Sequence, residues 1–344
     1  MLNKKERLTE LDALRGIAAL AVVLYHYTTR YNINFPSVRD AIFFDFKFGF
    51  LGVQLFFIIS GFVIIMTLER VDSIKDYAIR RSTRLYPAYI TGVILTFTLV
   101  SIFGLNGRET SIPEALVNLT MLQGMIPGVI PHVDGVYWSL TVELIFYVIM
   151  GLLFVFGFIK KIEIPLVIWL GISFLIKGIS MNYESIILTA INFYGIMDYC
   201  NLFIAGIMFF KLRSSNLKRY HLIIFACLIY DFVFNGSISG TAVLVFFMVF
   251  YALIYGKLKF LNFKPLIYLG TISYSLYLVH QNIGYMILNK LGDYGFTNEI
   301  FIIIPIFVSI VIASLITFYV EKPLQLILKR KSNKEKQTKK KLVS

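Results

Sequence analysis

Ten apolar stretches follow one another along this chain, most of them near the length a helix needs to cross a lipid bilayer. They fall at roughly residues 11–30, 48–68, 87–105, 136–158, 164–178, 187–210, 221–234, 241–256, 266–289 and 299–320. A transmembrane helix takes about 20 predominantly apolar residues. The stretches 164–178 and 221–234 are short by that measure. Hydrophobic residues fill 58% of the 344 positions and charged residues 15%, against about 45–50% and about 25% in a soluble domain. The expected class is all-α, a polytopic membrane protein of about ten transmembrane helices, with no room for a sizeable soluble domain.

The formal net charge is +13, but its distribution argues against nucleic acid as a partner. Basic residues gather at the N-terminus (Lys4, Lys5, Arg7), in the 69–86 loop, at 159–163, 211–220 and 256–265, and in a C-terminal run, KRKSNKEKQTKKK. About 26 of the Lys and Arg residues lie on that side and about six on the other, the bias of loops that stay cytoplasmic. With an even number of spans, both termini are then cytoplasmic. This predicts a cytoplasmic N-terminus over 1–10, a transmembrane domain over 11–323 and a basic cytoplasmic tail over 324–344. Such a tail also attracts anionic membrane lipid. The start, MLNKKERLTELDALRG, leads into apolar sequence without a convincing cleavage site, so it reads as a retained first span. Cys200 and Cys227 both lie in apolar surroundings and form neither a disulfide framework nor a metal-ligand spacing.

The first stretch carries two ionisable residues, Arg15 and His26. Ionisable groups in a membrane segment are costly, with estimates of roughly 2.5–3.5 kcal/mol for a central Arg. Eleven residues is about three helical turns, so the two side chains would share a face within roughly 20° and about 16 Å of axis. His26 reads either as a hydrogen-bonded packing residue or as a group that takes and returns a proton near neutral pH. Arg15 reads as an interfacial charge or as a holder of an anionic substrate.

Four further constellations stand out. Ser139, Glu143 and Tyr147 are spaced to share a helix face, next to Trp138; they read as interhelical glue or as part of an active site. Ser60 and Gly61 sit among bulky apolar residues, as close packing requires or as a substrate's approach requires. Arg80, Arg81 and Arg84 precede Pro87 and either set topology or clamp phosphate bidentately. Ser273, Tyr277 and His280 form a second polar stripe. His132 and His221 lie in or beside loops and carry less weight. The 106–135 loop, with Pro113, Pro127 and Pro131 and several glycines, reads as too broken for a helix and as a cap over an outward-facing cavity. No glycine-rich nucleotide loop, HExxH, Cys/His metal cluster or nucleophile elbow is present, so no metal is expected.

Taken in order, these motifs resemble the membrane-bound acyltransferase 3 family of O-acyltransferases. The matching residues are Leu11-Asp12-Ala13-Leu14-Arg15-Gly16 followed by His26, Phe57 with Ser60-Gly61-Phe62, and Arg81, Arg84 and Pro87. They continue with Trp138-Ser139-Leu140, Glu143 and Phe146-Tyr147, then Ser273-Tyr274, Tyr277-Leu278 and His280, and close with Glu321-Lys322-Pro323. The resemblance spans residues 11–323. It implies an acyltransferase of the class that moves groups other than amino-acyl groups, in a bacterial cytoplasmic membrane. The donor would be acetyl-CoA or another acyl-CoA, and the acceptor a hydroxyl of an envelope glycan or lipid-linked sugar, O-antigen among them. His26 would be catalytic, with Glu143 orienting it and Arg15 holding an anionic group. Arg80, Arg81 and Arg84 would grip the CoA phosphates. Ser60, Gly61, Trp138, Tyr277 and His280 would line the substrate path. The chain looks like the stand-alone form, without an extracytoplasmic esterase-like domain. The rival reading is a proton-coupled secondary transporter or exporter of an envelope precursor, since intramembrane ionisable groups also mark proton relays; the internal repeat symmetry that such transporters show is not visible here.

Overall fold

The computed structural model describes residues 8–36 and 44–328. The basic N-terminal residues Lys4, Lys5 and Arg7 and the run from Lys329 to Lys341, on which the orientation argument leans, lie outside the described residues. Within them every regular element is helical and no strand occurs. In hydrocarbon each backbone N–H and C=O must find its partner inside the segment, which a helix does.

The order begins with α1 (Thr9–Tyr25), which runs straight into a π-helical turn, His26–Arg30, and then α2 (Tyr31–Asn34). It continues with α3 (Gly52–Leu68), α4 (Ile74–Phe103), α5 (Ile112–Asn118), α6 (Trp138–Val155), α7 (Glu163–Ser180) and α8 (Ile186–Tyr194). The last part holds α9 (Cys200–Ser214), α10 (Lys218–Phe234), α11 (Gly236–Ile254), α12 (Lys264–Asp293), α13 (Ile303–Leu315) and a second π-helical turn, Ile316–Glu321. Six helical stretches among the described residues are long and apolar enough to cross a membrane: Lys47–Leu68, Ile74–Phe103, Gly135–Val155, Glu163–Ser180, Gly236–Ile254 and Glu299–Leu328.

All ten apolar stretches are helical, but the sixth, expected as one span over 187–210, is broken between α8 and α9. Ile196 adopts φ +44° at the break, a left-handed conformation unusual for a β-branched residue. The freed carbonyls are satisfied by side chains. Trp169 Nε1 donates to Gly195 O at 3.0 Å, Tyr230 Oη to Met197 O at 2.6 Å, and Asn235 Nδ2 to Asp198 O at 3.4 Å. The loop after α4 also departs from expectation, because α5 forms within it. Ser111 and Glu114 make a reciprocal capping box and Pro113 sits in the first turn, where its missing N–H costs nothing. Asn118 then pins the loop, donating to Pro131 O and accepting from Val133 N, both at 3.0 Å.

The chain divides into two compact units. The first comprises residues up to Tyr25, Lys47–Tyr77 and Ser139–Gly270; the second comprises His26–Phe46, Ala78–Trp138 and the residues from Thr271 on. In the first unit α3 and α9 touch backbone to backbone. A Cβ on Gly61 would fall 2.2 Å from Phe203 O, and one on Gly206 would fall 2.0 Å from Ile58 O. Close approach through small residues is how membrane helices gain packing energy where lipid removes the hydrophobic drive. In the second unit Tyr27 lies against Gly284, whose Cβ would sit 2.2 Å from the Tyr27 ring.

Replacing Gly206 by Val is expected to destabilise the protein by about 1–3 kcal/mol, the usual cost of overpacking. Thermal unfolding in detergent should show a lower midpoint for Gly206→Val than for the exposed control Gly236→Ala, with wild type highest.

Candidate active site

Two histidines meet in the second unit. His26 opens the π-helical turn and is half-buried; His280, on α12, is fully buried. His280 Nε2 lies 3.0 Å from His26 Nδ1. The ring centroids are 4.9 Å apart, edge to face. The other nitrogen of His280, Nδ1, faces two carbonyls of its own helix, Tyr277 O at 2.9 Å and Leu276 O at 3.2 Å. A carbonyl only accepts, so Nδ1 carries the proton and donates to it. Nε2 of neutral His280 is then an acceptor, and His26 must donate to it through Nδ1–H. That assignment leaves the basic lone pair of His26 on Nε2. Hydrogen bonding at one ring nitrogen thus selects the reactive one at the other.

The surroundings hold this pair in place. Tyr27 Oη donates to His280 O at 2.6 Å and lies 2.8 Å from Ser309 Oγ. Tyr277, expected on the substrate path, donates to Val136 O at 3.1 Å, and Tyr137 donates to Leu278 O at 3.2 Å. Tyr285 lies with its ring 6.5 Å from that of His26. Asp134 is fully buried just ahead of the Gly135–Val155 stretch, its Oδ2 accepting from Asn282 N at 3.0 Å and its Oδ1 from Val136 N at 3.2 Å. Burial holds its carboxyl up at about 7, although the two backbone donors and the charge of Arg108 pull it down. Asp134, Arg108, Gln281 and Asn282 went unnoticed in the sequence. The one available signal was an acid directly before Gly135 at a helix start, the pattern of an N-cap.

The arginine loop occupies the start of α4. Arg80 is exposed, while Arg81 and Arg84 are half-buried. Arg84 pairs with the buried carboxylate of Glu321, which also accepts from Ser275 Oγ at 3.3 Å and Gln325 Nε2 at 3.1 Å. The Arg84 guanidinium lies 5.6 Å over the Tyr274 ring. Its fork is thus engaged inside the protein, a partner that sequence spacing did not reveal. Ser273 is fully buried, and Trp138 is 39% exposed.

The first unit holds the remaining expected residues. Glu143 Oε1 accepts from Ser60 Oγ at 2.7 Å and from Tyr147 Oη at 2.5 Å. The helix-face spacing that grouped Glu143 with Tyr147 therefore holds, and Ser60 joins them from α3. Gly61 is taken up by the contact with Phe203, the close-packing alternative. Arg15 is half-buried on α1, in the first unit, whereas His26 begins the second. Among the described residues no group of three or more His, Cys, Asp or Glu side chains could hold a metal ion.

Residues 8–319 match the acyltransferase domain of one family of membrane proteins. The chain belongs to the acyltransferase 3 family. Among its relatives, the "putative peptidoglycan O-acetyltransferase YrhL" of Bacillus subtilis (strain 168) is 26% identical over 92% of this chain and 54% of its own length. "O-acetyltransferase OatA" of Staphylococcus aureus is 24% identical over 84% of this chain and 53% of its own. "Acyltransferase MdmB" of Streptomyces mycarofaciens is 27% identical over 47% of this chain and 43% of its own. The chain thus spans about half the length of these curated relatives. No solved structure matches it. Within the acyltransferase 3 domain lie both histidines, the Ser60–Glu143–Tyr147 cluster and the arginine loop.

Asp134 gives this acyltransferase 3 protein a pH signature. Its folded value lies above the ordinary carboxylate value, so between about pH 4 and pH 7 the folded state binds the extra proton. Its term in stability therefore rises as pH falls through that window and is lost as pH rises. Unfolding midpoints at pH 4.5, 6 and 7.5 should show a component of this sign in wild type that is absent from Asp134→Asn; identical pH slopes would refute it.

Proposed function

We propose that this protein is an integral membrane O-acyltransferase that moves an acyl group, acetyl in the simplest case, from cytoplasmic acyl-CoA to a hydroxyl of an envelope glycan or lipid-linked sugar. The reading includes about ten spans with both termini in the cytoplasm, in a bacterial cytoplasmic membrane. The observation that carries it is the hydrogen-bonded order Tyr277 O, His280, His26, which leaves a basic nitrogen at His26 Nε2. Family membership and the O-acetyltransferases among the relatives support the reaction class.

In this reading His26 Nε2 takes the proton of the acceptor hydroxyl. The oxygen attacks the thioester carbonyl, an ester C–O bond forms, and the C–S bond breaks. His26 then returns its proton to the departing CoA thiolate. His280 is a positioning residue that holds His26 in the tautomer with Nε2 unprotonated. It takes over the orienting role that the resemblance assigned to Glu143. Arg80 and Arg81 receive the CoA phosphates, while Arg84 braces the site through Glu321. Trp138 and Tyr277 lie along the acceptor path, while Glu143 is held by Ser60 and Tyr147 within the first unit.

Two outcomes follow for transfer of radiolabel from acyl-CoA to purified glycan. His26→Ala and His26→Gln should each lower the rate by about 10²–10⁴-fold, the usual share of general acid–base catalysis; retained activity in a properly inserted variant removes the proposal. His280→Ala should lower kcat and shift the acid limb of the pH–rate profile while leaving KM for acyl-CoA within about two-fold of wild type, because it acts only through His26. Arg81→Ala should do the opposite, raising KM for acyl-CoA more than KM for the acceptor. Equal effects on both substrates would make Arg81 a topology residue.

A further inference from the structure

The second unit also holds an arginine that the acyl-transfer scheme does not use. Arg108, in the loop after α4, is half-buried and forms no ion pair among the described residues. Its guanidinium lies 5.6 Å over the Tyr285 ring, and Tyr285 is the aromatic neighbour of His26. Asp134, whose carboxyl feels the charge of Arg108, already spends both oxygens on the backbone N–H groups of Asn282 and Val136. A guanidinium presents a rigid fork of five donors suited to carboxylate or phosphate. An arginine stacked on a tyrosine keeps that fork free at its edge.

Two buried amides on α12 lie against the Val133–Gly135 segment. Gln281 is 4% exposed and Asn282 1%. Gln281 Oε1 and Asn282 Oδ1 have no hydrogen-bond partner, although Asn282 Nδ2 is held by Val133 O at 2.9 Å and Gln281 Nε2 reaches Tyr285 Oη at 3.5 Å. Buried acceptors are rarely left without a donor. Gly135 is where Arg108 and Gln281 meet. A Cβ there would lie 2.5 Å from Gln281 Oε1 and 3.1 Å from Arg108 Nη1. The place therefore combines an acceptor on Gln281 that needs an O–H or N–H donor, one cation that needs an anion, and an aromatic face, with a second unpartnered acceptor on Asn282 beside Val133. It lies one ring away from His26.

We infer that Arg108, Gln281 and Asn282 form the acceptor subsite, and that it takes a hydroxyl-rich sugar bearing a carboxylate or phosphate. The sugar hydroxyls donate to Gln281 Oε1 and Asn282 Oδ1, and Arg108 takes the anionic group. The inference rests on the acyl-transfer reading only for the sugar's role as acceptor. Specificity would then be set largely by charge, because a neutral sugar leaves the Arg108 fork unpaired.

The test measures binding to the purified full-length protein in nanodiscs, using methyl glucuronide, glucose 6-phosphate, methyl glucoside and inorganic phosphate as probes. Wild type should bind at least one anionic sugar about ten-fold tighter than the glucoside, the scale of one charge-assisted hydrogen bond. Arg108→Gln should bring that ratio to near unity, and Arg108→Lys should keep part of it. Which anionic sugar binds identifies carboxylate or phosphate as the group recognised. Equal affinity for charged and neutral sugars in wild type, a ratio that survives in Arg108→Gln with its unfolding midpoint unchanged, or free phosphate binding as tightly as the sugar would each overturn the assignment. Radiolabel transfer from acyl-CoA, run on the same samples, separates this from the parent reading. Arg108-dependent binding without any transfer sinks the acyl-transfer proposal alone, and transfer without charge preference sinks this subsite alone.

Discussion

The hydrogen bond between two imidazoles decides what the site can do. An isolated histidine has two tautomers of similar energy, and only one puts a lone pair where a substrate can use it. Here the choice is made two bonds away. The carbonyls of Tyr277 and Leu276 claim the proton of His280 Nδ1, His280 Nε2 must accept, and His26 is left with one arrangement. Tyr27 secures the carbonyl of His280 itself, so the ring that holds His26 is anchored both at its Nδ1 and through its backbone. Supporting groups of this kind hold reactive geometry as firmly as the reactive groups define it.

The same reliance on backbone acceptors runs through the rest of the molecule. In a medium without water, each irregularity in a helix exposes carbonyls that some side chain must answer. The break between α8 and α9 is answered by Trp169, Tyr230 and Asn235. Ahead of α6, Tyr277 and Asn282 donate to the carbonyls of Val136 and Val133, and Asp134 accepts from the Val136 N–H. Where no irregularity occurs, as between α3 and α9, glycine lets the backbones meet directly.

Much of this was legible in the sequence. Long apolar runs identify helices because burying a backbone in lipid permits little else, and the spacing of Glu143 and Tyr147 foretold their contact because a helix repeats every 3.6 residues. What could not be read depends on atoms brought together from distant parts of the chain. Nothing local to Ile196 announces that a span breaks there; the break exists because a tryptophan and a tyrosine from other helices receive its carbonyls. Nothing near Arg84 announces Glu321, 237 residues later. Asp134 and Arg108 sat in a loop whose prolines and glycines read as disorder of pattern, although Ser111 and Glu114 held a legible helix start. The contact between His26 and His280 was likewise hidden, since the two residues are 254 positions apart and only their polarity stood out.

The wiring of the histidine pair has a consequence for how the site responds to charge. If His26 becomes imidazolium, its Nδ1–H still points at His280 Nε2, so no neighbour has to turn and no hydrogen bond has to be exchanged. A proton arriving on His280 instead would set N–H against N–H. The pair is therefore asymmetric: a proton added to His26 leaves the bond to His280 intact, whereas one added to His280 Nε2 breaks it. In the proposed reaction, the reorganisation that a protein can remove before any substrate arrives would be small, because the hydrogen bond that holds neutral His26 also holds its charged form.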